Sequence, residues 1–276
     1  MGRYDGILIA SDLDGTFLGK KSRVVQENVD AVRAFCAQGG LFTFATGRHH
    51  GHILQALPCT RELCNIPVIF ANGGYLYDYA NDRILHETFM DIDSTRELLL
   101  YVRAEHRRIG FRATTPQGFV TDGRTDIMRR FIEDAKGQSY IVEVAPVEAW
   151  TQRLWHKIVF RGAKEDIDAL AMDVRTQFGA MFELNRSSDT FLEAQRLGCS
   201  KGTMLEVLRR VYQQQLGRPI RTYGVGNHEN DLSLLRAADV SVCPADAEPE
   251  VLAVADRIVC GHDEGALADL IARIGR

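Results

Sequence analysis

Short apolar runs alternate with amphipathic stretches through the first third of the chain: Ile7–Ala10, Val25–Cys36, Leu41–Ala45, His52–Leu57 and Val68–Ala71. Apolar runs bounded by Gly and Asp read as strands, and the stretches between them have helical spacing, which gives a β-α-β-α-β order. The last quarter repeats it. A helix is expected over Gly202–Leu216, a strand over Thr222–Val225, a helix over Leu232–Ala237 and a strand over Val240–Cys243. Two further helix-strand steps follow, and Glu264–Ile274 is the last helix. Strands separated by helices in this way predict a doubly wound, Rossmann-like parallel α/β sheet with helices on both faces.

Between about Ile84 and Thr190 the periodicity changes. A helix over Ser94–His106 precedes two strand-like pieces, Phe111–Thr115 and Gly118–Thr121, then a helix Thr125–Ala135 and a strand Ile141–Val144. Strand His156–Arg161, helix Lys164–Phe178 and a closing pair, Met181–Leu184 and Thr190–Glu193, complete the segment. Strands paired by turns predict an α+β module inserted into the first fold. The expected division is a core of residues 1–84 and 190–276 with an inserted cap of residues 85–189, in which Trp150, Trp155 and Phe160 pack the interior.

The 276 residues leave room for one large domain or two ordinary ones at ~150 residues each. Lys and Arg number 33 against 37 Asp and Glu, a net charge of −4, and there is no basic block, so nucleic acid is not the expected partner. No apolar run approaches a membrane span, and the opening apolar stretch Gly6–Ala10 is a strand rather than a leader, which makes the cytoplasm the expected compartment. A myristoylation reading of Gly2 fails because Gly6 stands where Ser or Thr is needed. The six cysteines, at 36, 59, 64, 199, 243 and 260, form no Cys-x-x-Cys pair and read as reduced thiols.

The chemistry gathers at strand ends. Strand Ile7–Ala10 runs into Ser11-Asp12-Leu13-Asp14-Gly15-Thr16, and the carboxyl ends of strands are where open α/β sheets bind ligands. Two carboxylates two residues apart on a strand end share one side and need a cation or a proton to coexist. With oxygen ligands and a phosphate to share, Mg²⁺ is the ion this predicts. An EF-hand loop is excluded, because Gly15 is fourth rather than sixth and Arg23 stands where the twelfth-position Glu is required.

Thr46-Gly47-Arg48 ends the second strand and can offer a hydroxyl and backbone N–H groups to a phosphate oxygen. Ser200-Lys201-Gly202 opens a helix, where a lysine opposes the macrodipole unless an anion compensates it. In Gly224-Val225-Gly226-Asn227-His228-Glu229-Asn230-Asp231, Glu229 occupies the third glycine position of a dinucleotide fingerprint, so nucleotide binding is discounted. Its amide and carboxylate oxygens can complete a hard-metal site with Asp12 and Asp14, or simply cap a helix. His49-His50-x-His52 is read as cleft rim rather than as a metal cluster, since adjacent histidines opening a helix do not face one point.

Taken in order, these pieces together with Ala71-Asn72-Gly73-Gly74, Val254-Ala255-Asp256 and Asp263-Glu264-Gly265 resemble the haloacid dehalogenase superfamily of phosphohydrolases. More narrowly, the chain resembles the Cof-like subfamily, whose larger cap is inserted between the second and third motifs. The resemblance implies a phosphatase acting on small phosphate monoesters, sugar phosphates or related metabolites, through an aspartyl-phosphate. It implies Asp12 as nucleophile and Asp14 as acid/base, with Thr46, Gly47, Lys201, Asn230 and the Leu13 backbone N–H holding phosphate. Mg²⁺ would be held by Asp12, the main-chain carbonyl of Asp14, Asn227 and Asp231, and closure of the cap would exclude water and supply specificity. The fourth motif usually reads Gly-Asp where this chain has Gly226-Asn227, which implies weaker metal binding. The alternatives are a sugar phosphomutase of the same superfamily and a non-catalytic phosphometabolite-binding protein.

Overall fold

The computed structural model describes residues 2–138, 140–150 and 154–274. They fall into two units, one comprising the chain through His86 and again from Ser200, the other Glu87–Cys199. The joint expected at 190 lies short of the second division, because strand Phe191–Arg196 is paired on both sides within the inserted unit's sheet.

In the first unit the strand order is Arg257–Val259, Val240–Pro244, Arg221–Val225, Ile7–Ser11, Leu41–Phe44, all parallel. Alternation along the central strand sorts the two faces. Ile9 joins a core with Val29, Val32 and Phe35 of helix Gln26–Ala37 and Leu267, Leu270 and Ile271 of helix Ala266–Ile274. Leu8 and Ala10 face the other way, onto Met204, Leu205 and Leu208 of helix Lys201–Leu216 and Leu234 of helix Leu232–Ala237. Burying both faces under helices explains why these strands read as near-continuous apolar runs.

Three features depart from the expected pattern. One helix-strand step, Pro249–Leu252 and Arg257–Val259, rather than two, precedes the last helix. A hairpin of two-residue strands, Leu18–Gly19 and Arg23–Val24, follows the first motif and is tied down by Arg23 and Lys20 on Asp263. Beyond an isolated bridge from Ala45 to Ile69, strands Val68–Phe70, Tyr75–Asp78 and Arg83–Glu87 form a small sheet of their own. All three lack a run long enough to show a period.

The inserted unit is built on a six-stranded sheet in the order Ile141–Val144, Gly118–Thr121, Gly110–Thr115, Lys157–Arg161, Phe191–Arg196, Phe182–Ser188. Pairing is antiparallel except between the first two. Helices Ile92–Glu105 and Lys164–Gln177 cover one face, burying Leu98, Val102, Ile167 and Leu170 against Phe111, Ile158 and Phe160. Trp150 and Trp155 are fully buried in that same core, as expected. Lys157 and Glu193, which alternate out of that core, make a buried ion pair at 2.7 Å.

Candidate active site

Parallel register assembles the site. Ser11 pairs with Val225 on one side and Phe44 on the other, so the segments that follow these strands emerge at one edge of the sheet. Those segments are Asp12–Asp14, Thr46–Arg48 and Asn227–Asp231. Into this edge helix Lys201–Leu216 points its first residue, its start fixed by a capping box between Ser200 and Thr203.

Lys201 is fully buried, and its Nζ lies 2.6 Å from Asp12 Oδ1 and 2.6 Å from Asp231 Oδ1. The helix dipole is therefore opposed by a cation that two carboxylates of the chain itself hold in place, and a solvated surface lysine is excluded. Asp231 uses its second oxygen to accept the backbone N–H groups of Asn227 and His228. Asp231 thus holds the lysine with one oxygen and its own loop with the other.

Asp14 stands apart from that cluster. Its carboxylate takes a two-point fork from Arg48, with Nε 2.8 Å from Oδ2 and Nη2 2.6 Å from Oδ1. Leu13 is buried between the two acids and its carbonyl accepts the N–H groups of Phe17 and Leu18, which fixes the turn. Thr46 is buried, donates its N–H to the Ile69 carbonyl and accepts the Arg48 N–H on its hydroxyl; Gly47 lies half-buried between them. Asn227 is buried and its Oδ1 accepts the Thr16 hydroxyl at 3.0 Å, while Asn230 donates to Asn72 Oδ1 at 3.3 Å. Gly15, at φ +74°, has no Cβ because one would stand 2.5 Å from Asn227 Nδ2.

These placements set the charges. Burial, then the neighbouring Asp231 charge, push Asp12 above the ordinary carboxylate range; Asp14 adds to this and Lys201 opposes it. Burial would lower the Lys201 amine, but Asp12 and Asp231 outweigh it and keep the ammonium charged. Burial likewise works against the Arg48 cation, and its hydrogen bonds to Asp14 more than offset that.

Mg²⁺ fits the donors that remain. Among the described residues no three His, Cys, Asp or Glu side chains are gathered around one point, so a metal here has to draw on other oxygens. The carboxylate of Asp12, the main-chain carbonyl of Asp14 and the Asn227 amide oxygen make such a set, hard oxygen throughout.

Two residues that the motifs carried without a role belong to the site. Arg48 grips Asp14, and Asn72 meets Asn230. Ala71 and Asn72 both have left-handed backbone, φ 50° and 53°, held by N–H bonds to the Arg48 and Thr46 carbonyls. The Asn-Gly-Gly sequence was the available signal, since Asn and Gly are the residues that tolerate this region. Of the histidines, His49 is buried and accepts the Gly51 N–H as a helix cap, and His50 stacks on Tyr77 at 4.1 Å.

The family described as haloacid dehalogenase-like hydrolase matches residues 9–271. An HMP-PP phosphatase of Serratia proteamaculans is 27% identical over 261 residues, covering 93% of this chain and 90% of that protein. Phosphatase YwpJ of Bacillus subtilis is 27% identical, with 97% and 99% covered. A solved structure of a haloacid dehalogenase-like hydrolase from B. subtilis, 23% identical, superposes with a TM-score of 0.81 over 96% of this chain and 98% of its own.

Proposed function

The chain belongs to the haloacid dehalogenase-like hydrolase family, as an enzyme of the phosphatase type, and from that premise we propose that it hydrolyses small phosphate monoesters, sugar phosphates or related metabolites, with Mg²⁺ and through an aspartyl-phosphate. The observation that carries this reading is the buried contact of Lys201 with Asp12 at the end of the central strand, flanked by Thr46 and Asn227. A lysine there holds the Asp12 carboxylate in place and puts a positive charge where a phosphoryl group must arrive.

In the first step an Asp12 oxygen bonds to phosphorus as the ester P–O bond breaks, and the departing alcohol oxygen takes a proton from Asp14. In the second, a water oxygen bonds to phosphorus, the bond to Asp12 breaks and the water proton passes to Asp14. Inorganic phosphate leaves. Lys201, the Thr46 hydroxyl, the Gly47 and Leu13 N–H groups and the Asn230 amide hold the phosphoryl oxygens through both steps. Mg²⁺, held by Asp12, the Asp14 carbonyl and Asn227, would neutralise charge between an anionic nucleophile and an anionic ester.

The test is to trap the intermediate. Quenching turnover with hydroxylamine should convert Asp12, and no other carboxylate, to a hydroxamate detectable by peptide mapping. Full turnover by Asp12→Asn would overturn the reading.

A further inference from the structure

We propose that Arg48 is a positioning residue for the proton transfer, setting where the Asp14 carboxylate stands; this rests on the acid/base role given to Asp14 above. The Asp14 side chain is 49% exposed and stands in the turn that follows the central strand. The Arg48 side chain, only 17% exposed, supplies the restraint. Its Nε and Nη2 reach separate oxygens of the carboxylate at 2.8 and 2.6 Å, and such a fork fixes both the position and the plane of its partner, where a single hydrogen bond would fix neither.

Arg48 is itself anchored. Its N–H donates to the Thr46 hydroxyl and its carbonyl accepts the Ala71 N–H, so the guanidinium stands on two neighbouring strand ends. Arg48 forms and breaks no covalent bond in either step. Its contribution is geometric: it sets the reach of the Asp14 oxygens toward the leaving alcohol in the first step and toward water in the second.

This predicts an effect that depends on the leaving group. An alkyl alkoxide needs a proton as the P–O bond breaks, whereas p-nitrophenolate departs without one, so only the alkyl ester depends on Asp14 in that step. A residue that merely stabilised the fold, or one that gripped the phosphate, would affect both esters alike.

The experiment measures kcat/KM, which reports the ester-cleaving step, for glucose 6-phosphate and p-nitrophenyl phosphate with wild type, Arg48→Ala, Arg48→Lys and Asp14→Asn. The expected result is a fall of roughly 10- to 100-fold in the ratio of the alkyl to the aryl ester for Arg48→Ala, expressed in kcat more than KM. Arg48→Lys, with one charge but no fork, should lie between, and it carries the comparison if the alanine variant does not fold. An equal fall on both esters, or a rise in KM alone on both, overturns the proposal. A ratio that falls in Asp14→Asn and not in either Arg48 variant does so too, and leaves the acid/base role standing. A ratio unmoved by Asp14→Asn overturns that role itself.

Discussion

Lys201 is the residue on which the site turns, because its one charge serves two buried carboxylates at 2.6 Å each. Removing it strands Asp12 and Asp231 in the interior without a counter-charge. Lys201→Met, close in shape, should therefore cost about 3–5 kcal/mol in denaturant unfolding and at least ~100-fold in phosphate release. Asn227 is the second informative position, since an amide oxygen bonded by Thr16 brings coordination but no charge. Asn227→Asp should lower the Mg²⁺ concentration for half-maximal activity by roughly tenfold; an unchanged or higher requirement would remove Asn227 from the metal's donors.

At the level of elements, close backbone approaches hold the catalytic edge together. Gly73, at φ +99°, lies where a Cβ would stand 2.1 Å from the Ser200 carbonyl, the cap of the helix that carries Lys201. Gly73→Ala has no side-chain escape and should destabilise by at least about 2 kcal/mol, with loss of the Asn72–Asn230 contact. Asp239 pins the start of strand Arg221–Val225 by accepting the Thr222 N–H and hydroxyl. Burial raises its pKa, but these bonds and the Arg209 guanidinium outweigh it and hold the group below the ordinary range. A depressed folded pKa contributes stability above the unfolded value near ~4, and the contribution is lost as pH falls through the folded value. Urea midpoints compared at pH 6 and pH 3.5 should therefore fall less for Asp239→Asn than for wild type.

The same elements show what was legible beforehand. The central strands and long helices could be read because burial on both faces writes continuous apolar runs and 3.6-residue spacing into them. The hairpin at Leu18–Val24 and the strand Tyr75–Asp78 could not, because they are too short to show a period and are held by tertiary contacts such as those to Asp263. In the site, Asp12, Asp14 and Lys201 announced themselves by chemistry at strand and helix ends. The roles of Asp231 and Arg48 did not, because a carboxylate's or guanidinium's partner is fixed by fold and not by spacing.

Across the whole molecule, two units each bury their own core. Phe160 is fully buried in the inserted unit's core beside Ile158, so Phe160→Ala should cost about 3–5 kcal/mol there and leave the Lys201–Asp12 machinery of the other unit intact. The central claim, that Asp12 in this setting attacks phosphorus with Mg²⁺ present, is tested most directly by inorganic phosphate release from a panel of sugar phosphates. The assay compares wild type and Asp12→Asn, each with Mg²⁺ and with EDTA. Release by wild type that requires Mg²⁺ and disappears in Asp12→Asn is the predicted result; release that survives either EDTA or the loss of Asp12 would contradict it.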